Sequence, residues 1–141
     1  MIRYEKNVRL DLNQFTELYR SSTLAERRPA DDPAVMRQMM ENANLTITAW
    51  DGGDLVGIAR TLTDFAFVAY LADLAVARSH QGRGIGRRLV EQTRAALGPK
   101  CMVVLLSAPD ANAFYPHIGF SHHPRAWILP PEEQSEPSGR G

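Results

Sequence analysis

Glycines alternate at positions 82, 84 and 86, with arginines at 83, 87 and 88 beside them, directly after a long apolar run. A strand, a glycine-rich loop and a helix in that order make a phosphate-binding arrangement, because the free N–H groups and dipole of the first helical turn attract an anion. Glycine lets the backbone approach and adopt conformations that side chains forbid. The plainer alternative is a tight turn with a solvated basic face. A nucleoside triphosphatase loop is a weak reading, since the Gly-Lys-Ser/Thr it needs is absent. A dinucleotide fold is a poor match: the spacing is Gly-x-Gly-x-Gly, and the next apolar run ends at Ser107-Ala108-Pro109 without an acid. Other reactive residues are sparse. Cys101 is the only cysteine and adjoins Met102-Val103-Val104-Leu105-Leu106, which suits an inert thiol better than a nucleophile. His80, His117, His122 and His123 have no zinc-site spacing, and no metal is expected.

Bulk properties narrow the classes. The 141 residues are 44% apolar and 23% charged, with 16 basic and 16 acidic side chains. That is one domain's worth of chain with a real core, and its balanced charge gives no support for nucleic-acid binding. The N-terminus lacks a signal-peptide core and no run approaches the roughly 20 apolar residues of a membrane span, so no membrane association and a cytoplasmic location are the expectations.

These elements must position the loop. Residues 11–21 and 33–42 read as helices, with Asp32-Pro33 as cap and first turn of the second. Residues 45–50 and 55–62 flank Asp51-Gly52-Gly53-Asp54 as a hairpin. Residues 67–77 form an apolar run interrupted by Asp73, suited to a central strand covered on both faces. A helix over 85–97 ends at Gly98-Pro99; a second buried strand over 101–107, a short helix over 110–117 and a strand piece over 126–129 follow. Residues 131–141 read as a disordered tail after a single domain over 1–130. The expected class is α/β, a mixed sheet with helices on both faces.

The segment from Leu74 through Gln81-Gly82-Arg83-Gly84-Ile85-Gly86 resembles the acetyl-CoA signature of the GNAT superfamily, in which a hydrophobic strand runs into Gln/Arg-x-x-Gly-x-Gly/Ala and a helix. A second block, Ala111-Asn112-Ala113-Phe114-Tyr115-Pro116-His117-Ile118-Gly119-Phe120, is similar to the family's Ala-x-x-Phe-Tyr-x-x-x-Gly-Phe. The resemblance covers roughly 45–129. It implies a GNAT-like fold, a mostly antiparallel central sheet whose middle strands splay, and an N-acetyltransferase that moves an acetyl group from acetyl-CoA to a primary amine by direct attack.

Residue roles follow from the resemblance. The backbone of Leu74, Ala75 and Val76 would pair with the pantetheine arm, and the pyrophosphate would rest on amides of Gln81, Gly82, Arg83, Gly84, Ile85, Gly86 and Arg87. Tyr115 matches the family's general acid; a tyrosine merely packed on the sheet is its alternative. The family's usual glutamate is missing, with Tyr70 and Ala72 at the positions where it would be sought. Asp73 is the nearest carboxylate, and two roles stay open for it: general base, or structural acid bonded to backbone or arginine. Relatives often carry an asparagine where this chain has Ala108; Asn112 shares a helix face with Tyr115 instead. The acceptor would enter among Tyr19, Arg27, Arg28, Met36, Phe65, Phe67 and Trp127, a mix that suits an aromatic amine, a small anionic amine or a peptide N-terminus. A homodimer is the family's habit. A non-catalytic acyl-CoA-binding sensor or partner subunit is the rival, keeping the loop without needing Tyr115.

Overall fold

Alternating apolar residues on either side of Gly52-Gly53 fold into the expected hairpin, strand β2 (Leu45–Asp51) and strand β3 (Asp54–Thr63), with Gly52 at φ 60°. The computed structural model describes residues 1–132. It contains two compact units, Met1–Leu106 and the residues from Ser107 on. The tail expected from 131 lies, from residue 133, outside the described residues.

The first unit holds a five-stranded sheet in the order β1-β2-β3-β4-β5. Strand β1 (Ile2–Lys6) pairs antiparallel with β2, and the sequence reading does not foresee it. Its Arg3, Glu5 and Lys6 suit an edge strand, where charge discourages pairing with another chain. Strand β4 (Val68–Val76) pairs antiparallel with β3, and β5 (Met102–Val104) runs parallel to β4. The buried strand expected over 101–107 is therefore only three residues long, with Met102 50% and Val104 39% exposed.

Helix α1 (Leu12–Ser21) starts where the Asp11 carboxylate accepts from the Gln14 N–H at 3.1 Å, and it buries Phe15, Leu18 and Tyr19. A 3₁₀ turn (Leu24–Arg27) leads to α2 (Pro33–Asn42), capped by Asp32 at 3.3 Å from the Val35 amide. Of Val35, Met36, Met39 and Met40, which line one stripe of α2, only Met36 is fully buried. Helix α3 (Ile85–Ala95) buries Ile85, Leu89, Val90 and Thr93, the spacing of one helical face.

The helices take opposite faces of the sheet. A Cβ on Gly57 would meet Leu89 and Ile85 of α3. Arg60, an odd number of residues along β3, instead reaches the Met39 carbonyl of α2. Each large side chain buried in these layers contributes about 1.5–3 kcal/mol.

In the second unit a 3₁₀ turn (Pro109–Ala111) precedes the short helix α4 (Phe114–His117). The strand piece expected over 126–129 is absent: those residues carry no regular structure, and Trp127 and Leu129 are each 95% exposed.

Candidate active site

Strand β4 has a closed end and an open one. Its pairing with β5 covers only Val68↔Met102, Ala69↔Val103 and Tyr70↔Val104, so the ladder stops at Tyr70. From Leu71 to Val76 the strand keeps β3 on one side and has no β5 partner on the other. This is the splayed arrangement the resemblance implied, and it leaves a row of backbone groups that an extended ligand can pair with.

The open end runs directly into the glycine loop. Gly82 and Gly84 sit at φ 79° and 81°, and nothing lies within 4 Å of where their Cβ atoms would be. Backbone conformation, not crowding, requires glycine at both positions. Gly84 is also the N-cap of α3 and gives no side-chain cap, so the first-turn amides lack the usual capping oxygen. Those amides, the helix dipole and exposed Arg83 and Arg87 form a cradle suited to a diphosphate. Gln81 ties the loop to the strand, its Nε2 donating to the Val76 carbonyl at 3.0 Å.

His80 braces the same loop in a way that spacing did not reveal. Its Nε2 lies 2.8 Å from Asp51 Oδ2, at the end of β2, and its Nδ1 lies 2.7 Å from Ser79 Oγ. The hydrogen bond to His80 holds the Asp51 carboxyl below the usual carboxylate range. Among the described residues no group of three or more His, Cys, Asp or Glu could hold a metal ion.

Asp73 lies at the middle of β4 with 1% of its surface exposed. Oδ1 accepts from Arg28 Nε at 2.6 Å; Oδ2 accepts from Arg60 Nε at 2.5 Å and from the Tyr19 hydroxyl. Burial, then the adjacent Asp73 charge, pushes the Tyr19 phenol well above its ordinary value. Burial opposes the Arg60 charge, but Asp73 and Tyr19 together more than offset it and raise Arg60. Of the two roles open to Asp73, this is the geometry of the structural acid.

The residues expected around the acceptor are not one surface. Tyr19 and Met36 are fully buried. Phe65 and Phe67 stand on the β3–β4 turn, at the end of β4 away from the glycine loop, where the Asp64 carboxylate accepts from the amides of Ala66, Phe67 and Val68. At ~3.3 Å per residue, Phe67 is roughly 17 Å along the strand from Ala72. Arg28 is turned inward onto Asp73, and Arg27 is exposed.

In the second unit, Gly119 at φ 99° turns the chain so that the Phe120 amide donates to the Tyr115 carbonyl at 3.1 Å. That turn stacks Phe120 edge-on against Tyr115 at 5.5 Å, with Phe114 on it at 5.2 Å. The Tyr115 ring is half-buried, and burial pushes its phenol above the ordinary value. Asn112 is engaged by Ser107, whose Oγ lies 3.0 Å from its Oδ1.

The sequence pattern of the acetyltransferase (GNAT) domain matches residues 42–122. The GCN5-related N-acetyltransferase 2 of Arabidopsis thaliana chloroplasts is 33% identical over 84 residues, 52% of this chain; the aligned region is 33% of that relative, so the chain spans only a part of its length. An uncharacterized N-acetyltransferase, ycf52, of Pyropia yezoensis is 27% identical over 132 residues, 84% of this chain and 73% of the relative. In fold, the chain superposes on a probable acetyltransferase from methicillin-resistant Staphylococcus aureus with TM-score 0.76, 20% identity and coverage of 94% and 99%. It superposes on an aminoglycoside N-acetyltransferase in complex with CoA with TM-score 0.70, 15% identity and coverage of 94% and 95%.

Proposed function

Because this chain belongs to the GNAT acetyltransferase family, we propose that it transfers an acetyl group from acetyl-CoA to a primary amine by direct attack, with Tyr115 as general acid. The observation that carries the reading is the run of β4 without a β5 partner leading into left-handed Gly82 and Gly84 and the uncapped start of α3. The residues fit the donor. The backbone of Leu74, Ala75 and Val76 pairs with its amide-bearing arm, and the amides of Gln81, Gly82, Arg83, Gly84, Ile85, Gly86 and Arg87 hold its pyrophosphate. When bound, the donor supplies an acyl carbon activated as a thioester.

This chain's own residues do the rest. Tyr115 holds a proton at its hydroxyl and gives it to the sulfur as the carbon–sulfur bond breaks and the carbon–nitrogen bond forms. A phenol raised by burial keeps that proton across the neutral range. Asp73 serves to hold the strand, since both oxygens are occupied, and the amine's proton leaves to water.

A thiol-release assay with tyramine, L-glutamate and trialanine as acceptors tests the reading. Tyr115→Phe should lower kcat by roughly 10²–10⁴-fold and leave acetyl-CoA affinity nearly intact. In wild type, kcat should show no loss from pH 7 to about 9 through this group, because a phenol raised above its ordinary value of about 10 stays protonated over that range. A Tyr115→Phe protein with full turnover would remove the tyrosine from the mechanism. Acetyl-CoA binding without turnover of any amine would favour the non-catalytic binding module.

A further inference from the structure

The polar loop between α1 and α2 reaches the sheet through the Arg28 side chain, and it does so at an irregular point. In the β3–β4 ladder, Arg60 faces Asp73 but Thr61 faces Leu71, so Ala72 is an extra residue and β4 bulges there. Bulges bend a strand and re-aim its groups, and they concentrate next to active sites. This one falls two residues past the last β5 pair, between the closed end of the sheet and the segment Leu74-Ala75-Val76.

Arg28 grips that bulge from outside. Its Nε binds Asp73 Oδ1 at 2.6 Å, its Nη2 donates to the Ala72 carbonyl at 3.0 Å, and its Nη1 donates to the Arg27 carbonyl at 2.8 Å. The three guanidinium nitrogens therefore hold three different partners, a carboxylate, the strand backbone and the loop backbone. Lysine cannot do this, having one charged nitrogen and no planar fork. The loop's other ion pairs, Arg20 with Asp31 and Arg78 with Glu26, join exposed side chains at 3.2 and 3.9 Å and fix little. Arg28 also lines an open cleft of about 520 Å³ with Ala25, Glu26, Pro29 and Asp31. One side chain thus belongs both to the wall of a cleft and to the backbone of the strand proposed to carry the donor.

We infer that Arg28 is a positioning residue, with Asp73 as its anchor, that holds the α1–α2 loop and its cleft in fixed register with the β4 bulge so that an amine seated against the loop meets the donor at the right point of the strand. This rests on the acetyltransferase reading for its kinetic consequence and on geometry alone for the latch. Removing Arg28 leaves Asp73 with Arg60 and Tyr19, so the buried charge is still answered and the sheet remains intact. The glycine loop is not part of the contact and should keep its affinity.

The test compares wild type, Arg28→Gln and Arg28→Lys in three measurements: acetyl-CoA affinity by calorimetry, turnover of tyramine, L-glutamate and trialanine, and amide hydrogen exchange. The expected result is an acetyl-CoA Kd within about two-fold of wild type. The acceptor kcat/KM should be lower by roughly 10–100-fold, the size of effect that a small misplacement produces. Arg28→Lys should recover part of it. Amides of 24–32 and 71–73 should exchange about ten-fold faster or more in Arg28→Gln, with α3 unchanged. Equal loss of acetyl-CoA affinity and turnover would make the contact generally structural and overturn the inference, as would unchanged turnover of every amine that wild type accepts. Should wild type bind no acetyl-CoA, the acetyltransferase reading fails, and exchange alone decides the latch. Unchanged exchange in 24–32 would then overturn it.

Discussion

A carboxylate shut away from water inside an apolar strand persists only if its charge is answered where it lies. Asp73 is answered three times, by Arg28, Arg60 and the Tyr19 hydroxyl. Asp73→Asn keeps the shape but leaves two guanidinium groups facing a neutral amide. The expected cost is about 3–5 kcal/mol, a melting temperature lower by roughly 10–15 °C for a chain of this size. Thermal denaturation checks it; a change of only a degree or two would mean that the network is decorative. From sequence Asp73 stood out as an acid in an apolar run, but its partners did not. Tyr19, Arg28 and Arg60 lie 54, 45 and 13 residues away, and no local pattern joins them. The same holds for His80 and Asp51, 29 residues apart. Glycines 82 and 84 were legible because a left-handed backbone leaves its mark on residue type.

At the scale of elements, β3 and α3 are coupled through Gly57. A Cβ there would lie 3.1 Å from Leu89 Cδ1 and 3.2 Å from both Ala49 Cβ and Ile85 Cγ2. Ile85 is the first residue of α3, so pressure at Gly57 reaches the helix start that is proposed to hold the pyrophosphate. Gly57→Ala stiffens the unfolded chain by about 0.4–1 kcal/mol, but overpacking costs about 1–3 kcal/mol. The net expectation is a loss of about 1 kcal/mol, seen as a melting temperature a few degrees lower. A variant more stable than wild type would show that α3 has room to shift. Elements with caps or clear periodicity, α1, α2, α3 and the β2–β3 hairpin, could be read from sequence. Strand β1 could not, because an edge strand carrying charges lacks the apolar alternation of a half-buried one. Residues 101–107 and 126–129 mislead in the opposite direction. Apolar composition there does not mean burial, since Met102, Leu106, Trp127 and Leu129 are exposed.

At the scale of the whole molecule, the splayed sheet and the two motif blocks lead to the same reading. The first unit has an open strand edge, a left-handed glycine loop and, beside it, a histidine bonded to Asp51; the second has a tyrosine packed against two phenylalanine rings. Among the described residues no helix is long and apolar enough to cross a membrane. The central claim is that the glycine loop holds the pyrophosphate of acetyl-CoA, and calorimetry of wild type against Gly84→Glu tests it most directly. A side chain at φ 81° is strained wherever it points, and an acid there repels the diphosphate. The prediction is binding in the micromolar range by wild type, lost in a Gly84→Glu protein whose circular dichroism is unchanged. No binding by wild type, or equal binding by the two proteins, would contradict the account.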